Sequence, residues 1–250
     1  EDRMSTRGVA DVVFCLDASD SMAPCFEQVS RHVGDFLEGL KSSRQVSWDL
    51  RFEFVAHCAS QDGRAQRMRS LRSEHVWSEL YGQGRNDSRF FTADVAEFRR
   101  GLGEVRVLGN ESPLIGLDFA LDMPWRGDAS CHRVVIMMTD EPFETGVLLP
   151  LQEEALPRLV RKVQSLGVML FMVTPESQVF SELSEVDRCE HVVVASMNDG
   201  LAGLDFREVL SFIGKSISVS TLQKVGTIAV ERGLFGQERW GFTENARYSE

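Results

Sequence analysis

The sequence predicts an α/β protein with a mostly parallel sheet, and two patterns carry this prediction. Continuous apolar runs such as Val9–Leu16 are typical of strands that are buried on both faces. Between these runs, apolar residues recur at intervals of three and four, as in helices that lay one face on a sheet. Strands that alternate with helices at this spacing require right-handed crossovers. We therefore expect a Rossmann-like, doubly wound sheet with one antiparallel edge strand and helices on both faces.

The individual elements follow from these patterns in chain order. The alternation of apolar and polar residues in the second predicted strand indicates that one of its faces is more exposed to solvent and that the strand lies nearer the sheet edge. The predicted strands are Val9–Leu16, Val46–Phe54, His132–Met138, Val168–Val173 and His191–Ala195. Ser112 and Pro113 favour a helix start, and Gly167 favours a helix end. The predicted helices cover Phe26–Leu40, Pro113–Leu121, Pro157–Leu166 and Asp205–Ile217.

Residues 59–88 give the weakest pattern in the chain. They contain several turn-forming residues and a basic run, Arg64–Arg72. Because no aromatic residues are interleaved for base stacking, we interpret the run as a solvated loop or helix face. Phe90 and Phe91 are expected in a short edge strand that pairs with the preceding strand.

Composition limits the classes of function. The 250 residues carry 27 Lys and Arg against 38 Asp and Glu, a formal net charge of -11, which disfavours nucleic acids and anionic membranes as partners. The longest apolar runs fall far below the ~18 residues of a membrane helix. The first residues lack the apolar stretch of a secretory signal, and the five cysteines form no Cys-x-x-Cys pair. We expect a cytoplasmic protein.

One domain is expected over residues 8–222. Residues 1–7 form an N-terminal extension, in which 1–3 are interpreted as the remnant of an expression tag before Met4. Residues 223–250 form a tail with aromatic residues among glycines, which either packs on the domain or docks a partner.

Oxygen-bearing side chains follow the buried strands. Asp17, Ser19 and Ser21 come directly after the first strand, and Asp140 follows the strand that ends at Met138. Ligands bind outside the carboxyl ends of strands in an open sheet of this kind. Carboxylates and hydroxyls are ligands for a hard divalent cation, and a shell with few protein ligands leaves a position open for a partner's carboxylate. The sequence therefore predicts a site for Mg²⁺, or for Mn²⁺ or Ca²⁺, at this edge.

VVFCLDASDSM and VVIMMTDEP resemble the corresponding segments of von Willebrand factor type A (vWA) domains. In that family the metal-ion-dependent adhesion site has the pattern Asp-x-Ser-x-Ser, which Asp17, Ser19 and Ser21 match, and Asp140 matches the distal aspartate. The resemblance covers residues 8–222 in element order. It implies a vWA fold of the intracellular bacterial type.

The chain departs from the family pattern at three places. Asp20 and Glu141 stand where the family usually has glycine, and we interpret both as solvated charges at the rim. In the middle loop, the resemblance puts Glu111 at the position of the family's threonine ligand, with Ser112 as the alternative. A plain helix cap is an equal interpretation of Ser112. Anchoring instead on Ser-Pro favours an integrin beta-type alignment, in which Leu114 occupies the ligand position.

The expected function is that of a binding module rather than an enzyme. The cation would bridge the domain to an acidic side chain of a protein partner, and the resemblance implies an adaptor beside an ATPase or another protein of the same gene set. One alternative is a Mg²⁺-dependent phosphotransferase of the haloacid dehalogenase type, but that chemistry needs a second aspartate where this chain has Ser19. Another is a degenerate site that binds its partner without metal. The scattered histidines suggest no catalytic dyad.

Overall fold

The computed structural model describes residues 6–42, 46–60, 62–78, 81–85, 90–195, 199–224 and 242–243. These ranges form nine strands and six helices. The strands are β1 (Thr6–Asp17), β2 (Val46–Ala59), β3 (Ala65–Arg69), β4 (Glu74–Ser78), β5 (Tyr81–Arg85), β6 (Cys131–Met138), β7 (Met169–Pro175), β8 (Cys189–Val194) and β9 (Phe242–Thr243). The helices are α1 (Ala23–Leu40), α2 (Val95–Gly103), α3 (Pro113–Leu121), α4 (Leu149–Leu166), α5 (Gln178–Ser184) and α6 (Phe206–Lys224).

The strands form one mixed sheet in the order β5-β4-β3-β2-β1-β6-β7-β8-β9. The five strands from β2 to β8 in this order are parallel, which confirms the predicted α/β class and its parallel centre. The antiparallel part is a meander of β3, β4 and β5 at one edge, with the short β9 at the other.

Helices cover both faces of the sheet, as the apolar runs predicted. On β1, Val12, Phe14 and Leu16 belong to the core under α1, α2 and α6, whereas Val13 and Cys15 belong to the core under α3, α4 and α5. Successive side chains of a strand point to opposite faces. A strand that is covered on both sides is therefore apolar at nearly every position.

The prediction for the basic run Arg64–Arg72 was wrong. Residues 65–69 form β3, whose Met68 is fully buried. The strand pairs antiparallel with both β2 and β4. Several arginines of the run pair with carboxylates, as in Arg67–Glu74, Arg69–Glu104 and Arg72–Glu97. The sequence does not show the strand pattern clearly, because three of the five residues of β3 are long and polar and Met68 is the single buried residue among them.

Other boundaries also differ from the predictions. Helix α4 begins at Leu149, eight positions before Pro157, which lies inside it. The sequence patterns did not indicate α2 or α5. Instead of a strand at Phe90–Phe91, the structure has a single antiparallel bridge between Thr92 and Phe52, and Phe91 adopts φ 64°.

The predicted termini lie largely outside the described residues. Of the extension 1–7, Thr6 and Arg7 already belong to β1. Of the tail 223–250, only Gln223 and Lys224, which belong to α6, and residues 242–243 are described, and Phe242 and Thr243 pair with β8. Within the described ranges, no helix has the length and apolar character needed to cross a membrane.

Strand order determines where the sheet offers a ligand site. The chain adds β2 on one side of β1 and then β6 on the other, so the winding direction reverses between β1 and β6. In open α/β sheets the crevice at such a reversal, outside the carboxyl ends of the strands, is the usual ligand site. In this chain it lies between Asp17, the last residue of β1, and Thr139, the first residue after β6.

Candidate metal centre

The carboxyl ends of β1 and β6 are joined by a side-chain hydrogen bond. Asp17 is the last residue of β1 and is fully buried. Its Oδ2 accepts a hydrogen bond of 2.9 Å from the Thr139 hydroxyl, and its Oδ1 accepts one of 2.9 Å from the Ser19 amide. The carboxylate is therefore fixed between the two strands at the reversal point.

Ser19, Ser21 and Asp140 complete a cluster of oxygen atoms with Asp17. The hydroxyls of Ser19 and Ser21 are 3.3 Å apart, and the Ser21 hydroxyl donates a hydrogen bond of 2.9 Å to Asp140 Oδ1. Asp140 is fully buried, and its Oδ2 accepts from the Gly200 amide at 2.6 Å. The structure thus brings together four residues that the sequence predicted. We call Asp17, Ser19, Ser21 and Asp140 the oxygen cluster.

Backbone hydrogen bonds hold the loop before α3 against this edge of the sheet. Asn110 exchanges two backbone hydrogen bonds with Ala59 at the end of β2, and the Leu108 amide donates to the Ala18 carbonyl at 2.8 Å. Gly109 has φ +95°, and a Cβ there would lie 2.2 Å from the Ala59 carbonyl oxygen. Only glycine fits this approach, which fixes the position of Asn110 and thereby that of Glu111, the residue that follows it.

Glu111 and Ser112 both lie at this edge, in different environments. Glu111 is half-buried, and its backbone carbonyl accepts from the Val147 amide at 3.1 Å. Ser112 is fully buried at the N-cap of α3, but its hydroxyl makes no cap hydrogen bond and has no partner among the described residues. The interpretation of Ser112 as a plain helix cap is therefore wrong at the level of its side chain. The alternative alignment puts Leu114 at the ligand position, but Leu114 packs in the apolar core.

The carboxylates at this edge repel one another. Burial raises the pKa of Asp17 to about 8, and the charges of Glu111 and Asp140 add to this effect. Burial also raises the pKa of Glu111, as do the charges of Glu141 and Asp140. Ionised carboxylates this close together favour a site that takes up a positive charge.

The cluster fits a hard divalent cation. Asp17 and Asp140 are fully buried, yet neither forms an ion pair with a described Lys or Arg. Buried charges require an opposite charge or a metal. In the described part of the chain, no group of three or more His, Cys, Asp or Glu side chains could hold a metal. The oxygen cluster has a different composition, with two carboxylates and two hydroxyls. Oxygen donors of this type suit Mg²⁺, Mn²⁺ or Ca²⁺.

Two residues with a role at this edge were not recognised in the sequence. Thr139 donates a hydrogen bond to Asp17, a role that its place in the sequence before Asp140 does not indicate. His57 pairs with Asp17 in the parallel register, and its buried ring has no hydrogen-bond partner among the described residues. A Cβ at Gly116 would lie 2.1 Å from His57 Cδ2, so α3 packs directly on this ring. In the sequence, the feature that could have indicated this contact is Gly116, a glycine inside a helical segment.

The two charges predicted at the rim differ from each other. Asp20 is exposed, as predicted. Glu141 is 8% exposed and accepts a hydrogen bond of 2.6 Å from the Thr145 hydroxyl, so its prediction as a solvated charge was wrong. The reason is the short 3₁₀ turn of residues 143–145, which folds back over it.

Comparisons with known proteins give a distant likeness. No family model and no curated protein matches the sequence. Among solved structures, the chain is similar to proximal thread matrix protein 1 from the mussel byssus, with 16% identity over 85% of this chain and 47% of that chain and a TM-score of 0.49. A further structure of that protein, described with a zinc-occupied MIDAS motif, gives 14% identity, 84% and 47% coverage, and a TM-score of 0.46.

The pilus adhesin SpaC from Lactobacillus rhamnosus GG is also similar, with 12% identity over 86% of this chain and 31% of that chain and a TM-score of 0.49. The chain thus spans less than half the length of these structures. At these values the likeness does not assign the chain to a family. The α/β fold is established by the strand order and register described above.

Proposed function

We propose that this chain is a protein-interaction module of the vWA type, which binds a carboxylate of a protein partner through a divalent cation. The cation would be held by Asp17, Ser19, Ser21 and Asp140, with Ser112 or Glu111 from the loop before α3. When bound, it would supply a Lewis-acidic position for an oxygen of the partner.

One observation carries this proposal. Two fully buried carboxylates, Asp17 and Asp140, meet at the reversal point of the sheet with hydroxyl partners and with no basic partner in the described part of the chain. The burial of such a pair is unfavourable unless a positive charge accompanies it. The sequence motif and the strand order that position the pair also support a vWA-type site.

The residues of the chain have distinct roles in this proposal. Thr139 orients Asp17, and the Gly200 amide orients Asp140, so each carboxylate is held in one direction. Ser19 and Ser21 contribute neutral oxygens, which limit the negative charge of the shell. A shell with little negative charge leaves the cation able to attract an incoming carboxylate.

Calorimetric titration of Mn²⁺ and Mg²⁺ into the wild-type chain and Asp17→Ala tests the cation site. We expect saturable binding by the wild type and a loss of about a hundredfold or more in Asp17→Ala, since a buried charged ligand is removed. Asp122→Ala removes an aspartate with a side chain 71% exposed, outside the cluster, and serves as the matched control. Equal heats from the wild type and Asp17→Ala would exclude the cation model and favour partner binding without metal.

Turnover of a generic phosphate ester in Mg²⁺ tests the competing enzymatic function. We expect no turnover that depends on Asp17, because Ser19 lacks the acidity of the second aspartate in such enzymes. Hydrolysis that disappears in Asp17→Ala and persists in Asp122→Ala would overturn the proposal of a binding module.

A further inference from the structure

A second concave site borders the oxygen cluster. A cavity of about 470 Å³ opens at the end of β2, between β3 and the segment that follows α2. Ala18, Ala56 and Cys58 line its apolar part. Its charged lining residues are Arg67, Arg69, Arg106, Glu74 and Glu104. We call it the arginine cavity.

The charges of the arginine cavity leave one positive charge in excess. Arg67 Nε lies 3.2 Å from Glu74, and an Arg69 guanidinium nitrogen lies 3.0 Å from Glu104. Arg106 is exposed and forms no ion pair with a described residue. Arg69 Nε is buried and has no acceptor among the described residues. The cavity therefore retains donors for an anion, in a chain whose overall charge is -11.

The arginine cavity and the oxygen cluster share a wall. Ala18, which lines the cavity, lies between Asp17 and Ser19 in the chain. Its carbonyl accepts the Leu108 amide, so the segment that carries Arg106 is attached directly to the end of β1.

The thiol of Cys58, on the cavity wall, is influenced by charges of both sites. Burial raises the pKa of Cys58 to about 11, while Arg67 lowers it and Asp17 raises it. One side chain is thus within electrostatic reach of the cavity and of the cluster.

We propose that the arginine cavity binds a second acidic side chain of the same partner whose first carboxylate is bound at the oxygen cluster. This inference rests on the proposed function and specifies the partner as a segment with two acidic residues. Arginine binds carboxylates through paired, charge-assisted hydrogen bonds. A single excess positive charge matches a carboxylate better than a doubly charged phosphate.

The adjacency of the two sites restricts the partner further. One residue, Ala18, separates the cavity from the two nearest residues of the cluster. Because the two sites are adjacent, we expect the two acidic residues of the partner to lie close together in its chain.

A hexaglutamate peptide that carries a neutral dye tests the inference on the full chain. Its binding is followed by fluorescence anisotropy. The peptide is titrated in Mg²⁺ and in EDTA against the wild type, Arg106→Gln and Arg67→Gln. We expect binding in Mg²⁺ that weakens about tenfold in Arg106→Gln, because a charge-assisted hydrogen bond is lost. Arg99→Gln, an exposed position on α2 outside the cavity, makes the same change in net charge and should weaken binding by less than about twofold.

The outcomes separate this inference from the proposed function. Metal-dependent binding that is unchanged in Arg106→Gln and Arg67→Gln would overturn the cavity proposal and support the cation bridge. Binding that is weakened by these variants but equal in Mg²⁺ and EDTA would support the cavity and contradict the bridge. A wild type that fails to bind the peptide at about 1 mM would overturn the cavity proposal, while Mn²⁺ calorimetry decides the cation site independently.

Discussion

Ser21 and Asp140 are 119 positions apart in the chain, and the Ser21 hydroxyl donates a hydrogen bond of 2.9 Å to Asp140 Oδ1. The bond links the turn after β1 to the residue after Thr139 at the end of β6. Because β1 and β6 are neighbours in parallel register, their carboxyl ends meet without any contribution from a long loop. The geometry of the oxygen cluster is therefore determined by the sheet and is largely formed before any cation binds.

Replacement of Ser21 by alanine tests this relationship. We expect Ser21→Ala to lower the affinity for Mn²⁺ by about tenfold and the free energy of unfolding by about 1 kcal/mol, since one oxygen and one hydrogen bond are removed. Calorimetry and urea denaturation measure the two effects. Ser181→Ala, at an exposed position of α5, is the control and should change neither. An unaltered Mn²⁺ affinity in Ser21→Ala would remove Ser21 from the site.

Replacement of Ser112 by alanine separates a ligand from a cap. The Ser112 hydroxyl is buried without a partner among the described residues, so its removal should leave stability in EDTA unchanged or raise it by about 1 kcal/mol. In the same variant we expect weaker binding of Mn²⁺, measured by calorimetry. Glu111→Gln is the comparison, because it alters the neighbouring position. If only Glu111→Gln weakens Mn²⁺ binding, the loop ligand is Glu111.

The sequence was sufficient to predict the centre of the fold and the four residues of the oxygen cluster. Buried parallel strands are continuous apolar runs, so the ends of β1 and β6 could be read from where polar residues such as Asp17 and Asp140 begin. The choice between Glu111 and Ser112 could not be made in this way. It depends on the backbone hydrogen bonds of Asn110 with Ala59, which join residues far apart in the chain.

The antiparallel meander could not be predicted because a residue of another strand, Glu53 on β2, holds its connecting segments in place. Glu53 on β2 accepts hydrogen bonds from the amides of Leu71 and Phe91, at 2.7 and 2.9 Å. It thereby fixes both the turn after β3 and the segment that returns to Thr92. In the sequence, Glu53 is one more polar residue in an alternating strand, and nothing near it indicates these partners.

Replacement of Glu53 by glutamine tests its role in holding this part of the chain. Its fully buried carboxylate accepts three amides, from Phe54, Leu71 and Phe91. Glutamine offers one acceptor oxygen, so we expect a loss of about 2 to 3 kcal/mol in urea denaturation, with faster hydrogen exchange at the amides of Leu71 and Phe91. Glu38→Gln, exposed on α1, should have no effect. Exchange rates that stay at the wild-type level would contradict this role.

Asp11 should make stability depend on pH at the acid end. Its buried carboxylate receives hydrogen bonds from Arg51 and from Arg126, at 2.6 to 2.8 Å. Burial raises its pKa, but the two arginines outweigh this effect and hold the pKa below its ordinary value. A carboxyl whose pKa is lower in the folded state stabilises the fold above its unfolded pKa. This contribution disappears as the pH falls through the folded pKa.

We therefore expect Asp11→Asn to be less stable than the wild type by about 3 kcal/mol, because a buried ion pair loses one partner. The difference should be constant from about pH 5 to 8 and shrink below about pH 4, where Asp11 of the unfolded chain takes up a proton while Asp11 of the folded chain is still ionised. Urea denaturation of both proteins across this range measures it, with Asp122→Asn as the exposed control. A difference that grows on acidification would show that Asp11 is not held ionised by its arginines.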